Sequence, residues 1–294
     1  MGLYGGVEAG GTKFVCAVGD GRGSLYAFVR FPTTTPDETL GRAVRFFSGY
    51  GDQLGAVGVG SFGPVDLDPG SPTFGFVTTT PKPGWANADV RGALARALGQ
   101  PVFFTTDVAA SAIGEHRFTA AKASATLVYL TVGTGIGGCL LVRGEPLHGL
   151  VHAEMGHVPV RRMPGDAFAG VCPYHGDCLE GMASGPALAA RAGASPRTLP
   201  PGDAVWDAAA HYLGEGVAAL VLALSPHRII AGGGVLGQPG LLARVRVRAE
   251  AALGGYVRHG ALANGLADYL VPPVLGERAG VLGAMAFARE SAAA

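Results

Sequence analysis

Lysine and long apolar runs are scarce in this sequence. Its 294 residues include only three lysines, Lys13, Lys82 and Lys122, and charged residues make up 15% of the chain. The 22 basic and 22 acidic residues leave a formal net charge of zero, so no basic footprint for DNA, RNA or an anionic membrane is present. The longest purely apolar run, Val217 to Leu224, is far shorter than the roughly 18 residues of a membrane span. We therefore expect neither a nucleic-acid partner nor a membrane.

Cysteine is also rare, and the first residues do not resemble a secretion signal. Met1 to Val7 contains no basic segment followed by an apolar one, which a signal peptide requires. We expect a cytoplasmic protein, in which disulfide bonds are uncommon. Two of the four cysteines, Cys16 and Cys139, lie alone in apolar runs and are interpreted as small core residues.

Length and strand patterning predict an α/β chain with two lobes. The chain is longer than a typical domain with a single hydrophobic core, and 48% of its residues are hydrophobic, which is ample to form buried cores. Strand-like runs joined by glycine turns open each half, at 2–19 and again at 125–143, which indicates a duplicated architecture. Pro64–Trp85 is expected to be an ordered loop. Further strands are expected at 56–62, 101–106 and 228–231, and helices at 36–50, 89–98, 107–117, 203–224 and 279–292.

Each of three strand-like runs ends in a glycine-rich turn. Gly10–Lys13 follows Glu8 and lacks the Lys-Ser/Thr order of a P-loop, so on its own it is interpreted as a tight hairpin turn in preference to a phosphate-binding turn. Gly133–Gly138 matches G-x-G-x-x-G, but a strand-like run follows it where a dinucleotide fold requires a helix. Gly232–Gly234 follows a third buried strand. Together the three turns favour a nucleotide bound in a cleft between the lobes.

Asp107 stands where an apolar strand meets a predicted helix. A carboxylate in that place can cap the helix. It can equally accept a proton from an attacking hydroxyl, which is the role of the base in kinases. The carboxyl end of a strand is where α/β folds place their chemistry, and this favours the catalytic interpretation.

Four metal-ligating residues lie within 22 positions: His157, Cys172, His175 and Cys178. Two thiolates and two imidazoles complete a tetrahedral zinc site, and four protein ligands leave no open position, so the metal is expected to be structural. A nucleic-acid zinc finger is the alternative, but no basic helix follows the ligands.

Two carboxylates flank the predicted zinc segment. Glu154 lies three residues before the first ligand, and Glu180 two residues after the last. A zinc ion bound by ligands at both ends of this segment would fix the positions of the two carboxylates, so that they can form hydrogen bonds with sugar hydroxyls. Without the metal, both would be interpreted as solvated surface acids.

Together these residues resemble the ROK family (repressor, open reading frame, kinase), and most closely its bacterial fructokinase branch. The resemblance covers nearly the whole chain in family order, and its most specific part is Glu-x-Gly-x-His followed by the zinc segment. The matching stretches are Glu8–Lys13, Thr106–Ala110, Thr131–Gly138, Glu154–His157, Cys172–Glu180 and Ala231–Gly234.

The resemblance implies an actin-like, hexokinase-type α/β fold with two lobes and a cleft that holds a sugar, ATP and Mg²⁺. The N-terminal lobe would span 1–118 and receive the last helix, 279–294, which packs back on it. The second lobe would span 119–278 and contain the zinc loop, 157–178. Family members of this branch phosphorylate fructose at its 6-hydroxyl, and many are dimers, so a homodimer is expected.

Residue roles also follow from the resemblance, with Asp107 as the catalytic base. The implied sugar-binding residues are Glu154, His157, Glu180, Thr106 and Gly63. The implied contacts to ATP and its Mg²⁺ are Glu8, Gly10, Gly11, Thr12, Lys13, Thr134, Gly135, Pro186, Gly232, Gly233, Gly234, Val235 and Leu236.

Three departures from the family pattern bear on specificity. Glu8 stands where Asp is common, Thr106 where Asn usually precedes the base, and Cys-x-x-His-x-x-Cys replaces the commoner Cys-x-Cys. The loss of the Asn amide weakens the case for glucose, and the zinc pattern points to fructose. A kinase for glucose, mannose or N-acetylmannosamine is the alternative. A sugar sensor without turnover is disfavoured, because Asp107 and all three glycine turns are present.

Overall fold

The computed structural model describes residues 2–293, so Met1 and Ala294, at the outer ends of the expected lobes, lie outside the described residues. The chain divides into two compact units. Unit 1 runs from the amino terminus to Ala125 and adds Leu140–Ala153 and the segment from Val274 onward. Unit 2 comprises Thr126–Cys139 and Glu154–Pro273.

These boundaries differ from the expected ones, because residues 119–125, 140–153 and 274–278 belong to unit 1. Hydrogen bonds explain the difference. Buried Glu115 accepts from the backbone N–H groups of Val274 and Leu275, at 3.1 and 2.7 Å. The Arg117 guanidinium donates to the Gly144 carbonyl at 3.1 Å and to the Glu145 carboxylate at 2.8 Å.

A five-stranded sheet forms the centre of unit 1. Its order is β3-β2-β1-β4-β7. β2 runs antiparallel to its neighbours β1 and β3, and β4 and β7 run parallel to β1. A separate two-stranded ribbon, β5-β6, begins within the segment that was expected to be a loop. The bounds are β1 (Leu3–Ala9), β2 (Lys13–Gly19), β3 (Leu25–Pro32), β4 (Leu54–Ser61), β5 (Phe76–Val77), β6 (Ala88–Asp89) and β7 (Val102–Thr106).

The second sheet repeats this topology. Its order is β10-β9-β8-β11-β12, so each five-stranded sheet has the order 3-2-1-4-5 when its own strands are counted along the chain. The bounds are β8 (Thr126–Val132), β9 (Ile136–Val142), β10 (Glu145–Pro146), β11 (Arg228–Gly232) and β12 (Leu270–Val271). The strand–glycine turn–strand units β1-β2 and β8-β9 therefore occupy equivalent places, as the duplicated sequence pattern predicts.

Eight α-helices are present within residues 2–293. The five that were expected begin and end within two residues of the predicted bounds, whereas α4, α5 and α7 had no predicted bounds. By length and apolar composition α6 could cross a membrane, but 61% of its apolar window is buried, which is typical of a core helix. The bounds are α1 (Pro36–Ser48), α2 (Val90–Leu98), α3 (Asp107–Phe118), α4 (Leu179–Ala183), α5 (Gly185–Ala192), α6 (Val205–Leu224), α7 (Leu241–Leu253) and α8 (Ala279–Ser291).

Glycines let α3 and α8 approach each other and the first sheet within unit 1. A Cβ at Gly283 of α8 would lie 1.8 Å from the carbonyl oxygen of Ala110 in α3. A Cβ at Gly58 of β4 would lie 1.9 Å from the carbonyl oxygen of Ala284. No side chain fits at either place, so glycine sets the depth at which α3, which begins at Asp107, is packed.

Candidate active site and metal centre

The expected site residues fall into two groups, one in each unit. The group in unit 1 lies at the carboxyl edge of its sheet, since β1, β4 and β7 are parallel and end at the same side. The turn 10–12 follows β1, Gly63 follows β4 and Asp107 follows β7. The Phe62 N–H donates to the Ala9 carbonyl at 2.7 Å, which ties the ends of β1 and β4 together.

Asp107 is the first residue of α3, and the preceding Thr106 caps the helix. The Thr106 hydroxyl accepts from the Ala109 N–H at 3.1 Å, and the Asp107 Oδ1 accepts from the Val108 N–H at 2.8 Å. The capping role considered for Asp107 therefore belongs to Thr106, which is only 5% exposed. Asp107 is half-buried, and the positive end of the helix dipole favours its carboxylate form. That form can accept a proton.

Gly63 begins the segment that follows β4 and Phe62. A Cβ at Gly63 would lie 3.1 Å from the Val65 nitrogen and 3.6 Å from the His152 ring, so the position has little room for a side chain. The His152 Nε2 accepts from the Val65 N–H at 3.2 Å. Burial lowers the pKa of His152, which keeps its ring neutral and able to accept this bond.

The turn after β1 presents backbone donors. The Gly10 N–H donates to the Lys13 carbonyl at 2.9 Å, and the Thr33 hydroxyl donates to the Gly10 carbonyl at 2.6 Å. Within residues 2–293, the N–H groups of Gly11 and Thr12 have no protein acceptor. Two adjacent N–H groups in a glycine turn can bind an anion such as a phosphate.

Glu8 supplies the carboxylate nearest to the end of β1. Burial raises its pKa, and the neighbouring Lys13 opposes this shift. One carboxylate oxygen, Oε2, is buried and has no hydrogen-bond partner within the described chain. Gly280, in the first turn of α8, gives it room, because a Cβ there would lie 2.8 Å from that oxygen. A carboxylate oxygen in need of a partner fits Mg²⁺, which prefers oxygen ligands.

In unit 2, two glycine turns and a helix start lie at one edge of the second sheet. The Gly185 N–H, directly before Pro186 at the start of α5, donates to the Gly133 carbonyl at 2.7 Å. The Val235 N–H donates to the Val132 carbonyl at 3.0 Å. The structure therefore brings together the expected nucleotide contacts of this unit: Thr134, Gly135, Pro186, Gly232, Gly233, Gly234, Val235 and Leu236.

Glu180 links the glycine turn after β8 to the metal-ligating segment. Its Oε2 accepts from the Ile136 N–H at 2.8 Å, and its Oε1 lies 3.9 Å from His157 Nε2. A Cβ at Gly135 would lie 2.7 Å from Glu180 Oε2, so this approach requires glycine. Sequence reasoning assigned Glu180 to the sugar alone; the structure adds this contact to the glycine turn.

His157, Cys172, His175 and Cys178 form one cluster, as the spacing predicts, and their ligand atoms all lie within 4.8 Å of one another. Three sulfur–Nδ1 distances measure 3.5, 3.6 and 3.7 Å. Zn–S bonds of about 2.3 Å and Zn–N bonds of about 2.0 Å place sulfur and nitrogen about 3.5 Å apart in a tetrahedron. These three distances therefore match those of a tetrahedral zinc site.

The metal cluster is continuous with the helix that carries Glu180. The Cys178 Sγ accepts from the Gly181 N–H at 3.5 Å and caps α4. Burial raises the pKa of the Cys178 thiol to about 11, so zinc, which binds thiolate, must displace a proton. His157 directs Nδ1 to the sulfurs and Nε2 toward Glu180. Its two ring nitrogens thus serve two different neighbours.

Glu154 directly precedes the short 3₁₀ turn Met155–His157. Protein atoms around its carboxyl group raise its pKa; the nearby His157 lowers it and the Glu180 charge raises it. Gly156 permits the turn to approach β9, because a Cβ there would lie 1.8 Å from the Ile136 carbonyl oxygen. Glu154, His157 and Glu180 are therefore neighbours, and all three present polar groups.

A buried ion pair that the sequence did not reveal holds the middle of the zinc loop. Asp166 lies in the loop and receives two bonds from the Arg191 guanidinium, at 2.7 and 3.1 Å. The Tyr212 hydroxyl donates to the same carboxylate at 2.5 Å. The hydrogen bond from Arg191 lowers the pKa of Asp166 well below its usual range. The guanidinium also lies 4.1 Å from the centroid of the Phe168 ring.

Comparison with known proteins places the chain in a family. The model of the ROK family matches residues 4–291. The fructokinase of Streptococcus mutans is 43% identical over 296 residues, which cover 99% of each chain. The glucokinase of Streptomyces coelicolor is 30% identical and covers 99% of this chain and 98% of that protein. The solved ROK hexokinase of Thermus thermophilus has a TM-score of 0.78 at 30% identity and covers 98% of each chain.

The structural likeness confirms the expected actin-like, hexokinase-type α/β fold. The family model spans nearly the whole chain, and the relatives are matched over almost their full length. The chain belongs to the ROK family.

Proposed function

We propose that this protein is an ATP-dependent fructokinase, which transfers the γ-phosphoryl group of ATP to the 6-hydroxyl of D-fructose. One observation carries the kinase assignment: Asp107 is a half-buried carboxylate at the carboxyl edge of the parallel strands β1, β4 and β7, and the same edge carries a turn with open N–H donors. Fructose is favoured over glucose because the fructokinase relative is 43% identical and the glucokinase relative 30%.

In the proposed reaction Asp107 acts as the general base. Its carboxylate accepts the proton of the sugar hydroxyl as the oxygen attacks the γ-phosphorus, and the bond from this phosphorus to the bridging oxygen breaks as ADP leaves. The position of Asp107 at the start of α3 keeps it ionised before the transfer. Thr106 fixes the start of the helix through its bond to Ala109, and so fixes the direction of the base.

The nucleotide is proposed to bind at the glycine turns. Gly11 and Thr12 offer N–H groups to phosphate, with Gly10 and Lys13 closing the turn. The turn at Thr134 and Gly135, the helix start at Pro186 and the turn 232–236 would contact the rest of ATP. Glu8 would hold Mg²⁺, whose charge offsets that of the phosphates.

The sugar is proposed to bind through Glu154, His157 and Glu180, with Gly63 close to the base. Zinc would hold both ends of segment 157–178, and so fix His157 and the helix that carries Glu180. We also propose that the protein is a cytoplasmic homodimer. The edge strand β3 supports a dimer surface, because Tyr26 and Phe28 on it are 59% and 69% exposed; light scattering on the purified protein measures the mass.

A sugar panel in a coupled ADP-release assay tests the proposed substrate. We expect the highest kcat/KM with D-fructose, compared with glucose, mannose and N-acetylmannosamine. A higher value for another hexose would transfer the assignment to that sugar. If every sugar binds and none supports ADP release, the protein is a sensor and the kinase proposal is wrong.

A further inference from the structure

Lys82 lies over the glycine turn that follows β1. If Gly11 carried a Cβ, it would lie 4.0 Å from the Lys82 Cδ and 3.9 Å from the Phe62 ring. The aliphatic part of the lysine therefore lies within one methyl group of van der Waals contact with the turn, and its ammonium group is two bonds beyond the Cδ. This turn is the one whose N–H groups at positions 11 and 12 have no protein acceptor within residues 2–293.

The segment that carries Lys82 is fixed by Trp85, three residues later. Trp85 is fully buried and its Nε1–H donates to the Thr34 carbonyl at 2.7 Å. Its ring packs against Phe62 with centroids 5.3 Å apart, and its N–H donates to the Lys82 carbonyl at 3.2 Å. Pro81 and Pro83 restrict the backbone on both sides of the lysine. These contacts hold the backbone of Lys82 in place.

The charge of Lys82 has no partner in the described part of the chain. Of the other two lysines, Lys13 forms a salt bridge with Glu277 at 3.5 Å, and Lys122 is exposed. No salt bridge to Lys82 is present within residues 2–293, although the residue is half-buried. An ammonium group that has no anion beside it is available to pair with a negatively charged ligand. Next to two open N–H donors, it is suited to bind a ligand that carries negative charge.

We propose that Lys82 is a catalytic residue that contacts the phosphoryl group during its transfer. This inference rests on the proposed kinase function and adds a residue to it. The bond between the sugar oxygen and phosphorus forms as the bond from phosphorus to the bridging oxygen of ADP breaks, and Asp107 takes the hydroxyl proton. Lys82 stays protonated throughout, and with the N–H groups of the turn it stabilises the charge on the phosphoryl oxygens.

Two substitutions separate this role from packing. Lys82→Met keeps most of the aliphatic chain that covers Gly11 and removes the charge. Lys82→Ala leaves space for a small amine. For Lys82→Met we expect kcat to fall about 10²- to 10³-fold, as when one donor to a developing charge is removed, with an unchanged melting temperature. In Lys82→Ala, added ethylammonium should restore part of the turnover, whereas sodium at the same ionic strength should not.

Lys122→Ala is the matched control, because it removes an exposed lysine of the same chain and should leave kcat unchanged. The proposal is overturned if Lys82→Met turns over within about threefold of the unaltered protein, or if no ammonium ion raises the turnover of Lys82→Ala. The unaltered protein is assayed in parallel with the sugar panel. If it phosphorylates no sugar, the proposed function itself fails, which is distinct from a failure of the role of Lys82.

Discussion

Replacing Gly283 by alanine should push two helices of unit 1 apart. The new Cβ would lie 1.8 Å from the Ala110 carbonyl oxygen and 2.6 Å from the Gly114 nitrogen, both backbone atoms of α3. To reach an ordinary contact of about 3.4 Å, α3 and α8 must separate by about 1.6 Å. Overpacking lowers the free energy of unfolding by about 1–3 kcal/mol, and a displacement of this size belongs at the upper end of that range. Alanine regains about 1 kcal/mol through helix propensity.

The net effect of Gly283→Ala is therefore a decrease of about 2 kcal/mol in the free energy of unfolding, which corresponds to a melting temperature lower by about 4–8 °C. Differential scanning calorimetry measures it, and kcat should fall as well because α3 begins with Asp107. Gly41→Ala in α1 is the control, since its Cβ would meet only the Arg45 side chain at 3.6 Å. This control should gain up to about 1 kcal/mol. An equal gain in Gly283→Ala would refute the packing argument.

Two further perturbations probe the zinc loop. Asp166→Asn should lower the free energy of unfolding by about 3–5 kcal/mol, because it leaves the buried Arg191 without its anion. The pKa of Asp166 is lowered in the folded protein. The stability that its carboxylate contributes is therefore present above about pH 3.9 and is lost as pH falls through the folded-state pKa. Acid unfolding followed by circular dichroism should thus show a shallower pH dependence in the variant, and an unchanged slope would contradict the assignment. Elemental analysis should find about one zinc per chain. Removal of the metal by a chelator should lower the melting temperature and should raise the KM for the sugar more than the KM for ATP. A metal-free protein of full stability would contradict the zinc assignment.

Local spacing revealed the metal cluster and the place of Asp107. Cys172, His175 and Cys178 follow one another at short intervals, and turns of that length bring their side chains together in most backbone conformations. Asp107 follows five strand-like residues directly, so its location at a strand end needed no tertiary information. The glycine turns were visible for the same reason, since each directly follows a strand.

Contacts between distant segments could not be read in this way. The pairing of Asp166 with Arg191 depends on how the zinc loop folds onto α5, and nothing near Asp166 in the sequence marks it. The same holds for Gly283 and Ala110, 173 positions apart. The choice of Thr106 over Asp107 as the helix cap was also missed, because both residue types cap helices well. The ribbon β5-β6 was not predicted, because its strands have only two residues each and are too short to show an alternating pattern.

The most direct test of the account is the turnover of Asp107→Asn with ATP and D-fructose. The amide keeps the shape of the side chain but cannot take up the hydroxyl proton, so kcat should fall about 10²- to 10⁴-fold. ATP binding and the melting temperature should stay close to those of the unaltered protein. A variant that binds ATP normally and phosphorylates fructose at the original rate would contradict the role of Asp107 as the base.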